Sequence, residues 1–539
     1  MCGAWHAAAQ DADRRAGELI NGSDYFTLER MMRSPEARRL SPFMHRLASA
    51  LTAHYFNRSA EACIHIGSLL RENQAELGTE SYMSMAFLMG RNLAGAGRYA
   101  EAAEFLDSMA VRMRASGAQG QASGTHLLGA MAEEAGIFRA YAAEAPLYRQ
   151  LHEPGTYSAS FYIDGRLHGY RKGGFLTVNG SVNGRPTAIA IDTGAGVNIV
   201  PPEEAARLGL RYIGADIRMM GLGVQTGRIA IADTLRIGRG MAWANVPFVV
   251  VDIKTGNSEA DKVLERGWHL TVGVPMLNAM KELQIDCSAH LITVPEKPTP
   301  LPEEGPNMMM KDSRNMTLRI EDKDGKPLLM HFDTGDYHTS MNTRWYRAHE
   351  TEVRDTGIAD SMRMAGVGGV EMQHSYTLPS LRLKIGGAEA DIDSVSVETG
   401  IDLHTGKRLS GTGTAVGGDE NAEDGCVGLN IIEHYGKITI NMRDMFLRCE
   451  EPGKGYRREW LFDRHRTATF PSYRSEQTAK LFHALARALC YVGDVTPRRC
   501  RHRLGVYYIH RYRRTDILHQ IRCGIHIERR AHYYEHVGL

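Results

Sequence analysis

The tripeptide Asp-Thr-Gly occurs twice in this chain, and the two copies constrain its fold more than any other feature. They are Asp192-Thr193-Gly194 and Asp333-Thr334-Gly335. Each follows a short apolar run, Ile189 to Ile191 or Leu328 to Phe332, which is typical of a buried strand. A glycine-containing turn sequence lies about eight residues before each aspartate, as expected for a hairpin turn followed by one strand. Each tripeptide is therefore predicted to form a tight turn at the end of a strand.

Further landmarks follow both copies in the same order. They are a Gly-x-Gly pair, an apolar strand that ends in glycine, and an apolar pair followed by glycine. Corresponding landmarks lie about 141, 145, 148 and 155 residues apart. A slowly growing offset is expected when one fold is duplicated and its loops acquire small insertions. The chain is therefore predicted to contain an internal repeat.

The residues around the first copy resemble the retropepsin-like and pepsin-like aspartic proteases. The segments Ala188 to Ala195, Val197 to Val200 and Ala206 to Leu210 are similar to the bacterial retropepsin-like pattern over nearly its whole length. The resemblance covers about half of the chain. It implies two lobes, each with one Asp-Thr-Gly loop, one glycine-containing flap hairpin, and an apolar-apolar-Gly segment beneath the loop.

The chemistry of two facing carboxyl groups agrees with this resemblance. Like charges so close cannot both ionise, so the pair keeps one proton over a wide acidic range, as is known for aspartic proteases. The ionised member can take a proton from a bound water while the protonated member hydrogen-bonds the substrate carbonyl. We therefore expect an aspartic endopeptidase of peptide or protein substrates, with Asp192 and Asp333 as catalytic residues and with neither metal nor cofactor.

The resemblance also implies roles for the neighbouring residues. The hydroxyls of Thr193 and Thr334 would support the turns, and Gly194 and Gly335 would allow a backbone path that a side chain would obstruct. A glycine pair in a hairpin forms a plain turn as readily as a flap tip, so both interpretations stay open. The candidate flap residues are Gly221, Leu222, Gly223, Gly366, Val367 and Gly368.

The second copy departs from the family pattern at Asp336, where Ser, Thr or Ala is usual; Tyr337 and His338 follow. A third carboxylate beside the pair raises the cost of ionising any of them. The alternative function is therefore a catalytically impaired peptide-binding or scaffold protein that keeps the two-lobed cleft.

The N-terminal part, 1–150, is predicted to be an all-α domain of helical hairpins. Similar helices are predicted to begin at Ser59 and Tyr99, and Ala96 to Phe105 resembles the second helix of a tetratricopeptide repeat. Stacked hairpins form concave surfaces, so a protein partner could bind here. The alternative is a plain helical bundle. Such an added domain should be dispensable for cleavage of short peptides.

The remaining boundaries follow from composition. A mainly β acid protease fold is predicted, with a first retropepsin-like lobe at 155–294 and a second lobe at 311–450. A stiff, proline-rich linker at 295–310 separates them.

The tail at 451–539 has about 18 Lys plus Arg against about 8 Asp plus Glu, and it lacks the strand pattern of the lobes. We predict that it is foreign to the fold, as out-of-frame translation would make it. Its arginine clusters lie among apolar residues without a recognisable module, so we do not predict nucleic-acid binding.

The whole chain has a net charge of +1 and an ordinary apolar fraction of 43%. These values indicate a soluble globular protein, and no apolar run is long enough to predict a membrane span. Met1 to Gln10 resembles the end of a signal peptide, which would favour a periplasmic or secreted protein; otherwise a cytoplasmic location is expected. The eight scattered cysteines predict neither a metal site nor a disulfide framework.

Overall fold

A computed structural model describes residues 2–115, 122–164, 174–220, 224–253, 270–311, 314–366, 369–407 and 423–453. A helical region comes first and a mainly β region follows it, as the sequence predicts. The prediction about the basic tail falls on residues 454–539, which lie outside the described residues.

Two α-helices of the helical region begin with a side-chain cap. Asp24 and Ser41 each accept a hydrogen bond from the backbone N–H of the third residue of the helix that follows, and Pro42 occupies a first-turn position that needs no N–H donor. The predicted starts at Ser59 and Tyr99 are confirmed. The helices are α1 (Cys2–Asn21), α2 (Tyr25–Met32), α3 (Pro42–Tyr55), α4 (Ser59–Glu72), α5 (Gln74–Gly95), α6 (Tyr99–Ala115) and α7 (Ala122–Glu144), with a 3-10 helix at Pro35–Arg39.

Consecutive helices from α3 to α7 pack against one another. Gly90 of α5 permits one of these contacts, because a Cβ atom there would lie 2.5 Å from the side chain of Leu106 in α6. The tetratricopeptide identity of this region stays a prediction.

The first sequence repeat forms eleven strands and two helices in the part of the chain that is described. The strands are β1 (Arg149–Gln150), β2 (Tyr157–Asp164), β3 (Phe175–Val182), β4 (Arg185–Ile191), β5 (Ile199–Val200), β6 (Arg211–Met220), β7 (Val224–Ile237), β8 (Met241–Val250), β9 (Thr271–Val272), β10 (Glu282–Asp286) and β11 (Leu291–Val294). The helices are α8 (Pro202–Leu208) and α9 (Val274–Met280).

The second repeat has a corresponding set. Its strands are β12 (Met308–Lys311), β13 (Asn315–Asp322), β14 (Pro327–Asp333), β15 (Ser340–Met341), β16 (Ile358–Gly366), β17 (Gly369–Ile385), β18 (Ala388–Asp402), β19 (Gly425–Gly428), β20 (Lys437–Asn441) and β21 (Phe446–Glu450). Its helices are α10 (Thr343–Ala348) and α11 (Glu350–Thr356), with a 3-10 helix at Leu429–Glu433.

The strand order of the two repeats is the same. The first runs β3-β4-β9-β5-β8-β7-β6 and the second β13-β14-β19-β15-β18-β17-β16. Strand directions also correspond: β4–β9 and β14–β19 are parallel, and so are β5–β8 and β15–β18. Both repeats add one further pairing, β3–β7 and β13–β17. This topology confirms the internal repeat.

A sheet of strands from both repeats joins them. Strand β10 pairs antiparallel with β20, so that Leu283 lies opposite Ile440. The buried carboxylate of Glu282 accepts hydrogen bonds from the side chain of Asn441 and from the backbone and hydroxyl of Thr299. The proline-rich connector is therefore fixed to the joining sheet at this point.

The helical region shares an apolar core with the first repeat. The buried side chains of the first repeat in this core lie on β6, β7 and β8 or directly after β8 and are Ile217, Met219, Ile229, Val249 and Val251. A carboxylate of α7, that of Glu133, also accepts a hydrogen bond from the backbone N–H of Arg218 on the edge strand β6. The helices therefore cover the outer face of these three strands.

This shared core changes the expected result of removing the helices. A chain that starts at about residue 147 exposes the apolar face of β6–β8, so we expect it to self-associate and to bind the dye ANS. The measurement is size-exclusion chromatography with ANS fluorescence. The control is the same truncation with Ile229→Thr and Val249→Thr, which should restore a monodisperse chain. A truncated chain that is already monodisperse and dye-free would contradict the prediction.

Candidate active site

The two Asp-Thr-Gly turns lie side by side in the structure, each beside its own apolar-apolar-Gly segment. Strand β4 leads to Asp192, whose backbone N–H donates to Val272 of β9 at 3.0 Å. Strand β14 ends at Asp333, which is opposite Gly428 of β19. The segment that the resemblance places beneath each loop is therefore present in both repeats.

The two aspartates have matching hydrogen bonds. In each, Oδ1 accepts one backbone N–H from the glycine of the tripeptide at 2.8 Å and one from the next residue at 3.2 Å. The two carboxyls face one another closely enough to share a proton. Loss of water from the site and the nearby charge of Asp333 raise the pKa of Asp192 well above its ordinary value. The pair therefore holds a proton where isolated aspartates are ionised.

The tripeptide glycines make room for the opposite carboxyl group. A Cβ atom on Gly194 would lie 2.3 Å from Cγ of Asp333, and one on Gly335 would lie 2.4 Å from Oδ2 of Asp192. Neither glycine has a positive φ. The path that a side chain would obstruct is thus one of close approach and not of left-handed backbone, because any side chain here would push the two carboxyls apart.

The tripeptide threonines connect the two loops. The hydroxyl of Thr193 donates to the carbonyl of Phe332 and accepts from the backbone N–H of Thr334, both at 2.9 Å. The hydroxyl of Thr334 donates to the carbonyl of Ile191 at 3.2 Å and accepts from the N–H of Thr193 at 2.9 Å. Both threonines are buried. Each hydroxyl therefore supports the opposite loop, whereas the sequence predicted support of a turn in general.

Replacing Thr193 by valine tests this exchange. The substitution leaves the N–H of Thr334 and the carbonyl of Phe332 without a partner, so we expect a loss of about 2–5 kcal/mol in the free energy of unfolding. Thr193→Ser keeps the hydroxyl and should cost only about 1 kcal/mol for the lost methyl group. Urea denaturation followed by tryptophan fluorescence measures both. Equal midpoints for the two variants would show that the hydrogen bonds contribute little.

Two pairs of antiparallel strands lead up to the candidate flap residues. Strands β6 and β7 pair up to Met220 and Val224, and β16 and β17 pair up to Gly366 and Gly369. Gly366 is thus the last residue of β16. The predicted tips, Gly221, Leu222, Gly223, Val367 and Gly368, lie outside the described residues.

Asp336 adds a third carboxyl group near the pair. Its side chain is exposed, and its Oδ1 accepts a hydrogen bond from the backbone N–H of His338 at 3.1 Å. Crowding by protein atoms, followed by the charge of Asp333, raises the pKa of Asp336 to about 7, and water that reaches the exposed carboxyl screens part of this effect. The corresponding residue of the first repeat is Ala195, which is buried.

The pH profile of peptide cleavage should therefore depend on Asp336. Near and above pH 7 the negative charge of Asp336 opposes loss of the proton that the pair still holds, so Asp336→Asn should move the alkaline limb of the profile to lower pH. Asparagine keeps the acceptor for the N–H of His338, which separates charge from loop geometry. A profile that coincides with that of the wild type would show that the charge of Asp336 does not reach the pair.

The sequence reasoning missed two residues beside the loops. His331 lies on β14, two positions before Asp333, and its Nε2 is 4.0 Å from Oδ2 of Asp333. Arg314 packs against Gly196 and lies 3.6 Å from the buried Glu134 of α7. Alternation along a strand places residues two apart on one face, so His331 was accessible to sequence reasoning; the contact of Arg314 with a helix was not.

The described residues hold no group of three or more His, Cys, Asp or Glu side chains arranged to bind a metal ion. None of the described helices combines the length and apolar character that crossing a bilayer requires.

Comparison with known proteins supports an aspartic protease family. A sequence model described as aspartyl protease matches residues 178–266. This range contains Asp192 and the strands β6 and β7 but not Asp333. No curated protein matches the sequence.

Three solved structures are similar to this one. Conglutin gamma, a basic 7S globulin from lupine seeds, is 9% identical, with 58% of this chain and 100% of that chain covered and a TM-score of 0.36. Basic 7S globulin from soybean is 10% identical over the same shares, with a TM-score of 0.35. A retropepsin-like aspartic protease from Rickettsia conorii is 17% identical over 28% of this chain and 94% of that chain, with a TM-score of 0.18.

Proposed function

We propose that this protein is a two-lobed aspartic endopeptidase whose catalytic residues are Asp192 and Asp333. The observation that carries the proposal is the pair of facing carboxyls, each lying against the glycine of the opposite loop. In this proposal the lobes are 155–294 and 311–450, and the peptide substrate lies between them under the two hairpins.

The geometry accounts for each part of the reaction. One carboxyl is ionised and accepts a proton from a water held between the two groups. The other is protonated and donates to the carbonyl oxygen of the peptide bond under attack. The four hydrogen bonds of Thr193 and Thr334 keep the loops in register during both steps.

Removing either charge tests the proposal. We expect Asp192→Asn and Asp333→Asn each to lower peptide cleavage about 10²–10⁴-fold. The double variant should lose little more, because the two groups act as a unit. Asp355→Asn, on the exposed side of α11, is the control and should cleave normally. Cleavage of a peptide library, with and without a pepstatin-type inhibitor, is the measurement.

The other results have definite meanings. Undiminished cleavage by Asp333→Asn would replace the two-lobed site by a homodimer built on Asp192. No cleavage by the wild type, together with binding of peptides, would favour the peptide-binding or scaffold function.

The helical region, 1–150, is proposed as a surface for a protein partner. Supporting this, Ile64 of α4 and Val111 of α6 remain exposed although most apolar residues of these helices are buried.

A further inference from the structure

A histidine shares the face of strand β14 with one of the two carboxyls. Nε2 of His331 lies 4.0 Å from Oδ2 of Asp333, and their side chains are 13% and 28% exposed. The ring is thus mostly withdrawn from water but next to the site. Among the described residues, Asp333 is the acidic side chain within ion-pairing distance of this ring.

The first repeat has no counterpart to this imidazole. His331 pairs with Thr317 of β13 and Cys426 of β19. The residue with the equivalent pairings in the first repeat is Ala190, opposite threonines on β3 and β9. The two carboxyls therefore have matching backbone contacts, but among the described residues the histidine lies beside Asp333 and not beside Asp192.

The residues that pair with His331 on the two neighbouring strands carry no positive charge. On β13 the hydroxyl of Thr317 donates to Glu423 at 2.7 Å. On β19 the thiol of Cys426 is neutral, because burial raises its pKa well above the ordinary value. The carboxyls of Asp333, Asp336, Glu423 and Glu398 all act on that thiol, so the groups beyond it are acidic.

We propose that His331 is a positioning residue that places the shared proton of the pair on Asp192 and leaves Asp333 as the ionised base. The inference rests on the proposed function. With the imidazole protonated, the three groups hold two protons, one on His331 and one on Asp192, and carry no net charge. Asp333 then accepts the proton of the attacking water while Asp192 donates to the substrate carbonyl. The two aspartates, equivalent in their backbone contacts, acquire fixed and different roles.

The sign of the effect on activity follows. A cation beside Asp333 favours the first ionisation of the pair, so its removal moves the acidic limb of kcat/KM to higher pH. Unit charges 4 Å apart interact strongly enough, even with the screening of bulk water, to shift that limb by at least about 0.5 pH unit.

Two variants measure this shift. His331→Ala introduces the residue that the first repeat carries at this position, and His331→Gln keeps most of the side-chain volume. Both should move the acidic limb of kcat/KM upward by about 0.5 pH unit or more. His65→Ala is the matched control, since Nε2 of His65 lies at the same 4.0 Å from a carboxylate, that of Glu61, on the helix α4. It should leave the profile in place.

A second measurement does not depend on activity. The imidazole of His331 is titrated by NMR in the full chain and in Asp333→Asn. Loss of the carboxylate should move the titration midpoint of His331 to lower pH by about 0.5 unit or more, while that of His65 stays fixed. An unchanged midpoint, or unchanged acidic limbs in both His331 variants, would overturn the inference. A wild type without peptidase activity but with the shifted midpoint would refute the proposed function and leave the charge placement intact.

Discussion

The exchange of hydrogen bonds between Thr193 and Thr334 is the interaction on which the site depends. Each hydroxyl satisfies one N–H and one carbonyl of a loop that lies 141 residues away. Both loops are buried at this point, so an unmade bond would leave a polar group without water or partner. Without the exchange, nothing in the local sequence would hold two carboxyls in contact, because their mutual repulsion pushes the loops apart.

Around this shared centre the two repeats have diverged in a consistent direction. The first repeat presents Ile229 and Val249 to the helices, and the residues with the same strand pairings in the second are Thr377 and Ser396. An apolar face on β6–β8 therefore has to be covered, whereas the equivalent face of the second repeat does not. The two repeats also differ beside the two carboxyls, where the position of Ala190 in the first repeat is occupied by His331 in the second. One duplicated fold thus provides a structural half, which carries the helices, and a half with extra titratable groups.

The sequence predicted the internal repeat, the strand before each aspartate and the helical start of the chain, because these features depend on local periodicity and turn chemistry. The contacts between the two repeats could not be predicted in this way. Gly194 looked like a residue required for backbone conformation, but its role depends on where Asp333 lies. The cover over Val249 likewise depends on α7, which is distant in sequence. Contacts of this kind follow from how the elements assemble, and no pattern within one segment contains them.

The ionisation of the two carboxyls also affects the stability of the folded chain. In the folded chain the pKa of Asp192 is raised above its value in an unfolded chain, so the folded state keeps this proton to higher pH. Stability contributed by this group is therefore greatest in acid and falls as the pH rises past the ordinary range of an aspartate. The threonine hydrogen bonds do not titrate in this range and oppose the growing repulsion at every pH. The loops can thus hold the half-ionised pair that amide hydrolysis requires, at a place where an unsupported pair of carboxylates would separate.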